Sequence, residues 1–102
     1  MLTTSFKNWI HENKLKLRDK GIQTEKVYES NGGLSQIGAY VDHSTDKYIG
    51  RIAVAEDRGI VDIELIEIEL EIRVMIVHYE YQEQFHLDLV EPYLRILGYY
   101  RA

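Results

Sequence analysis

An α+β fold is predicted: an antiparallel β-meander of four to five strands, with an N-terminal and a C-terminal helix packed on one face. Three observations predict it. Apolar residues recur at helical spacing only near the two ends of the 102-residue chain. Between those ends apolar and polar residues alternate with period two, the pattern of a strand with one face buried and one solvated. Turn signals at Asn31-Gly32-Gly33, at 43–47 and at Asp57-Arg58-Gly59 cut this middle section into strand-sized pieces. The length suits one domain over 1–102.

The first helix starts with Thr3, Thr4 or Ser5 as its expected cap. Phe6, Trp9, Ile10 and Leu17 then line one stripe, interrupted by Asn13, with Trp9 as the core anchor. Lys14, Lys16, Arg18 and Lys20 crowd the last turns, where cations suit the helix dipole, and Gly21 ends the pattern. The segment IQTEKVYES reads as the first strand. In LSQIGAYVD, Ile37, Ala39 and Val41 share a face; YIGRIAVAE is the third strand. In the fourth, Val61, Ile63 and Leu65 point to the core and Asp62 and Glu64 point out. The apolar residues then change phase at Leu65-Ile66, which signals a bulge or the start of a reversal. A single strand from Ile60 to Tyr81 would far exceed the usual five or six residues, so a hairpin reversal is placed at 67–71. VMIVHYEY is the fifth strand, expected to be buried in its centre. Phe85, Leu89, Val90, Tyr93, Leu94 and Leu97 make the apolar stripe of the last helix. Pro92 falls inside that helix and is expected to kink it or to open a second segment.

The charge is unevenly distributed. Residues 56–71 read EDRGIVDIELIEIELE, with seven carboxylates and one base, while the whole chain carries a net charge of −5. This run predicts a negative, solvated face or edge of the sheet. A sequence pI near 5.3 argues against direct nucleic-acid binding and for a basic protein partner. The absence of cysteine excludes disulfides, thiolate metal sites and a cysteine nucleophile. The N-terminal residues lack the features of a signal peptide, and no apolar run is long enough to span a bilayer, so a cytoplasmic protein without membrane contact is expected.

Residues of catalytic type are present without catalytic spacing. His11, His43, His78 and His86 do not pair at i,i+3 or i,i+4, and Leu15 stands where an HExxH motif needs its second histidine. They are expected to be solvated or at the rim of the core. His43-Ser44-Thr45-Asp46 holds triad residue types side by side in a turn, whereas triads assemble from distant segments. Gly32-Gly33 is a turn and not a phosphate loop. Neither an enzyme nor a cofactor or metal site is expected. The eight tyrosines suit sheet packing and rim positions.

The segment GRIAVAEDRGIVDIELIEIE, 50–69, followed by VMIVHYEY and a short C-terminal helix, resembles the TriTu family of bacterial immunity proteins. Gly50, Arg51, Ile52, Val54, Glu56, Gly59, Asp62 and Glu64 match the pattern of that family. Ala55 departs from it, standing where a tryptophan is expected. The resemblance implies a small cytoplasmic, non-catalytic protein. It would bind and neutralise the toxic C-terminal domain of a polymorphic or contact-dependent growth inhibition toxin, in many cases a nuclease. The expected toxin-binding residues are Glu56, Asp57, Asp62, Glu64, Glu67, Glu69 and Glu71. A monomer is expected; the rival reading is a structural module that dimerises through strand edges or its tyrosines.

Overall fold

The computed structural model describes residues 1–31 and 37–100, and among them an antiparallel sheet carries both helices on one face. Helix α1 (Leu2–Asp19) is followed by β1 (Gln23–Thr24), β2 (Tyr28–Asn31), β3 (Ile37–Ser44), β4 (Tyr48–Ala55), β5 (Ile60–Glu67), β6 (Ile72–Tyr79) and α2 (Leu87–Leu97). A single 3-10 turn, Asp57–Gly59, joins β4 to β5. The strand order is β1-β3-β4-β5-β6, with β2 also paired to β3.

Six strands stand where four to five were expected, because IQTEKVYES is divided. Gln23 and Thr24 pair with Ser44 and His43, whereas Tyr28 pairs with Tyr40. Four steps along this segment answer three along β3, so one extra residue is accommodated between β1 and β2. The Gly32-Gly33 part of the first expected turn lies outside the described residues.

The start of α1 also differs from expectation. The helix begins at Leu2, so Thr3, Thr4 and Ser5 lie inside its first turn and none of them caps it. The carboxylate of Glu56, from the β4–β5 connection, accepts a hydrogen bond from the backbone N–H of Thr3 instead. An anion there satisfies an orphan donor and complements the helix dipole. At the other end Gly21 takes φ 83°, and Ile22 N–H returns to the carbonyl of Leu17. This is the glycine-terminated helix end expected from the sequence.

Leu2, Phe6, Trp9, Ile10 and Leu17 of α1 and Leu89, Val90, Tyr93, Leu94 and Leu97 of α2 are buried against Ala39, Val41, Ile52, Val54, Val61, Ile63 and Leu65 of the sheet. The Phe85 ring packs 5.1 Å from Phe6 and 5.2 Å from Trp9, between the start of α2 and α1. The Ser5 hydroxyl accepts from the N–H of Phe85 and so ties this corner together. Pro92 lies within a continuous α2, on its exposed side, and no second segment starts there. One missing helical donor facing solvent is a tolerable loss when the opposite face is held by five buried side chains.

The phase change at Leu65-Ile66 is real. The β5–β6 register shifts between those residues, and Val74 is the extra residue on β6. The reversal falls at 68–71, within one residue of its expected place. The expectation of a buried fifth strand is not met. β6 is the edge of the sheet; Met75, Val77 and Tyr79 pack on the core, while Ile72, Val74 and Ile76 are exposed. The helices cover one face of the sheet only, so alternation buries just half of the side chains of β6.

Candidate protein-binding face

The helices cover one face of the sheet and leave the other open. Alternation dictates what each strand puts there: Tyr40 and Asp42 from β3, Ile49, Arg51, Ala53 and Ala55 from β4, Ile60, Asp62, Glu64 and Ile66 from β5. β6 adds Ile76 and His78, which stand opposite Glu64 and Asp62. Ala55, where the family pattern expects tryptophan, is therefore an open-face position, paired with Gly38 and Ile60.

The polar residues of this face answer one another across the strands. Arg51 grips Asp42 with two hydrogen bonds, 2.7 Å from Nε to Oδ1 and 3.0 Å from the guanidinium to Oδ2. Its guanidinium lies 4.1 Å from the centre of the Tyr40 ring, which stacks on Tyr28 at 5.1 Å. Glu64 is opposite Arg51 and forms an ion pair with Arg73 at 3.4 Å. Asp62 is hydrogen bonded to His78 Nδ1. That bond raises the His78 pKa above its ordinary value; slight desolvation works against it, and the negative charges of Asp62 and Glu80 reinforce it.

The seven expected toxin-binding carboxylates are divided by the fold into three groups. Asp62 and Glu64 stand mid-strand on the open face, Glu64 paired with Arg73 and Asp62 hydrogen bonded to His78. Glu67, Glu69 and Glu71 gather at the β5–β6 turn, where no ion pair engages them among the described residues. Glu56 and Asp57 lie at the opposite end of β5, about 25 Å away for a strand of this length. Glu56 serves α1 there. Partial desolvation raises its pKa, but hydrogen bonds from Thr3, the N-terminal charge and the backbone of Leu2 outweigh that and hold it below the usual carboxylate range.

The structure adds residues that were not foreseen. Ile49, Ile66 and Ile76 stand on the open face, with Ile68 and Leu70 at the adjoining turn. Each of these except the half-buried Ile66 is an exposed large aliphatic side chain. The signal was already in the phase change: once the apolar positions slip at Leu65-Ile66, the aliphatic residues that follow leave the face the helices cover. A depression of about 270 Å³ lined by Asp42, Ile49, Gly50, Arg51, Glu64 and Ile66 marks the same region.

The four histidines remain apart. His11 and His86 are exposed and His78 is on the open face, but His43 is fully buried, contrary to the expectation that it is solvated or at the rim. Among the described residues no group of three His, Asp or Glu side chains could hold a metal ion. Among the described residues no helix is long and apolar enough to cross a membrane.

The uncovered sheet face thus carries paired polar residues along its middle, an aliphatic group toward the end of β5 and an acidic turn beside it. The chain belongs to the TriTu immunity protein family, whose model matches residues 4–90. Neither a curated protein nor a solved structure matches it.

Proposed function

We propose that this chain is an immunity protein that binds one cognate bacterial toxin domain stoichiometrically and thereby protects the cell that makes both. The observation that carries this reading is membership of the immunity family over residues 4–90. The open face and its acidic end supply a physical route. A toxin domain of the contact-dependent or polymorphic type, such as a nuclease, presents a basic surface to its polyanionic substrate. Glu67, Glu69 and Glu71 then steer the encounter, and Asp62 and Glu64 lie further along the same contact. Glu56 and Asp57 sit at the far end, and Glu56 is engaged with α1. Inhibition is by occlusion, the chain performs no chemistry of its own, and its site of action is the cytoplasm.

Co-expression of the toxin domain encoded beside this chain's gene tests the function directly: growth is restored by the wild-type chain. The charge assignment is tested by reversing Glu67, Glu69 and Glu71 to lysine together. These residues are at a solvated turn, so the fold is retained. The association rate at low salt is expected to fall about tenfold or more, with a much flatter dependence on ionic strength. An unchanged rate and salt dependence would reject the acidic turn as the steering element.

A further inference from the structure

We propose that Ile49, Ile66 and Ile76 anchor the toxin domain on the open sheet face, with Ile68 and Leu70 extending the contact onto the β5–β6 turn; this rests on the toxin-neutralising role proposed above. Scattered exposed aliphatic residues are ordinary on a protein surface, but a contiguous group is not. Ile49 and Ile66 are directly opposite across β4 and β5. Ile76 pairs with Glu64, two residues from Ile66 on the same face of β5, while Ile66 itself stands opposite Arg73 across the Val74 bulge. Ile76 is 65% exposed and Ile49 48% exposed. Both helices lie on the other face of the sheet, so no described element of this chain covers the group.

Charge identifies the occupant. In the adjacent depression Asp42 and Glu64 are matched by Arg51 and Arg73; the carboxylates that no ion pair engages among the described residues, Glu67, Glu69 and Glu71, lie at the turn beside the aliphatic group. A partner seated here must be apolar where it meets the isoleucines and basic where it meets the turn. A second copy of this chain fits poorly. Two copies would bring together two acidic turns on molecules of net charge −5. The free edge of β6 is also unsuited to pairing with a copy of itself, because the Val74 bulge breaks its ladder and Arg73 stands beside the break. The occupant inferred is therefore a basic protein surface, docked on the face of the sheet rather than along its edge.

This arrangement divides the work of binding. The acids at the turn act at long range and set how fast the partners meet, while the aliphatic group acts on contact and sets how long they stay. The test uses the purified toxin domain encoded beside this chain's gene and measures association and dissociation rates separately. Ile66→Ala and Ile76→Ala, singly and together, should retain the wild-type association rate and raise the dissociation rate about tenfold or more. Leu15→Ala serves as the control: Leu15 is 57% exposed on α1, on the covered side of the sheet, and its truncation should change neither rate. Thermal melting of each variant verifies folding; if the alanines unfold the chain, Ile76→Thr replaces them, since it keeps the branched shape that a strand favours. Wild-type binding with dissociation unchanged in the isoleucine variants would overturn the anchor and leave the immunity function standing. Absence of wild-type binding would overturn both. Light scattering that shows a dimer lost with Ile76→Ala would assign the face to a second copy and likewise overturn the proposal.

Discussion

At the scale of single residues, the most consequential side chain is one the sequence hides in a turn. His43 is enclosed between β3 and α2, with Nδ1 2.9 Å from the hydroxyl of Tyr93 and Nε2 buried with no partner among the described residues. Burial pushes its pKa down to about 4, against the opposing charge of Asp42. Burial likewise raises the pKa of Tyr93, so the pair is neutral across the physiological range. The consequence for stability has a definite sign. In the unfolded chain His43 titrates near 6.5, while the folded state refuses the proton until about pH 4. Its contribution is complete above pH 6.5 and is lost as pH falls through that window. Urea unfolding is expected to show a loss of about 2 kcal/mol from this group between about pH 7.5 and about pH 5. His43→Gln should remove that part of the slope; equal slopes in the two proteins would place the acid sensitivity elsewhere. Gly50 is the second such residue. It pairs with His43, and a Cβ there would fall 2.5 Å from the Tyr93 ring and hydroxyl. Gly50→Ala is expected to cost about 1–3 kcal/mol by forcing α2 off the sheet, read as a lowered melting temperature.

At the scale of elements, the two helices end as their sequences ask, and one begins by borrowing. Gly98 at φ 99° closes α2, with the N–H groups of Gly98 and Tyr99 returned to the carbonyl of Leu94. The N-terminus of α1 is finished by Glu56, which lies 53 residues away from Thr3 in the chain. Glu56→Ala is therefore expected to destabilise the fold by about 1 kcal/mol at neutral pH. Because the Glu56 pKa is held low in the folded state, its contribution is present above the ordinary carboxylate range and is lost as pH falls below it. The gap between wild type and variant in urea should close in acid; a gap independent of pH would mean that the lost side-chain contacts, not the charge, carry the effect. β6 shows the converse dependence on context. Its composition is that of a buried strand, yet the sheet is covered on one face only and β6 meets the core with Met75, Val77 and Tyr79.

At the scale of the whole molecule, the sheet is divided into a covered face and an open one, and the open one is the surface proposed for toxin binding. The same strand serves the two faces: Val61, Ile63 and Leu65 are buried in the core, and Asp62, Glu64 and Ile66 are presented outward. Substitutions on the open face are accordingly expected to separate from those in the core, altering binding rates with little change in melting temperature. The sequence already contained the helix stripes, the β4 and β5 alternation, the reversal at 68–71 and the bulge beside it. These are local patterns, written within a few residues of where they act. The grouping of the seven carboxylates was not legible, because β5 separates Glu56 and Asp57 from Glu67, Glu69 and Glu71 by its full length.

Spacing, turn chemistry and composition were enough to place the two helices at the ends of the chain, the alternation of β4 and β5 and the acidity of the β5 region. Only the tertiary structure decided that β6 is an edge, that Glu56 belongs to α1, that His43 is enclosed by Tyr93, and that the isoleucines after Leu65 stand outside the core. The reason is physical: a period of two states which residues share a face, but burial depends on whether another element packs there, and that element comes from a distant part of the chain.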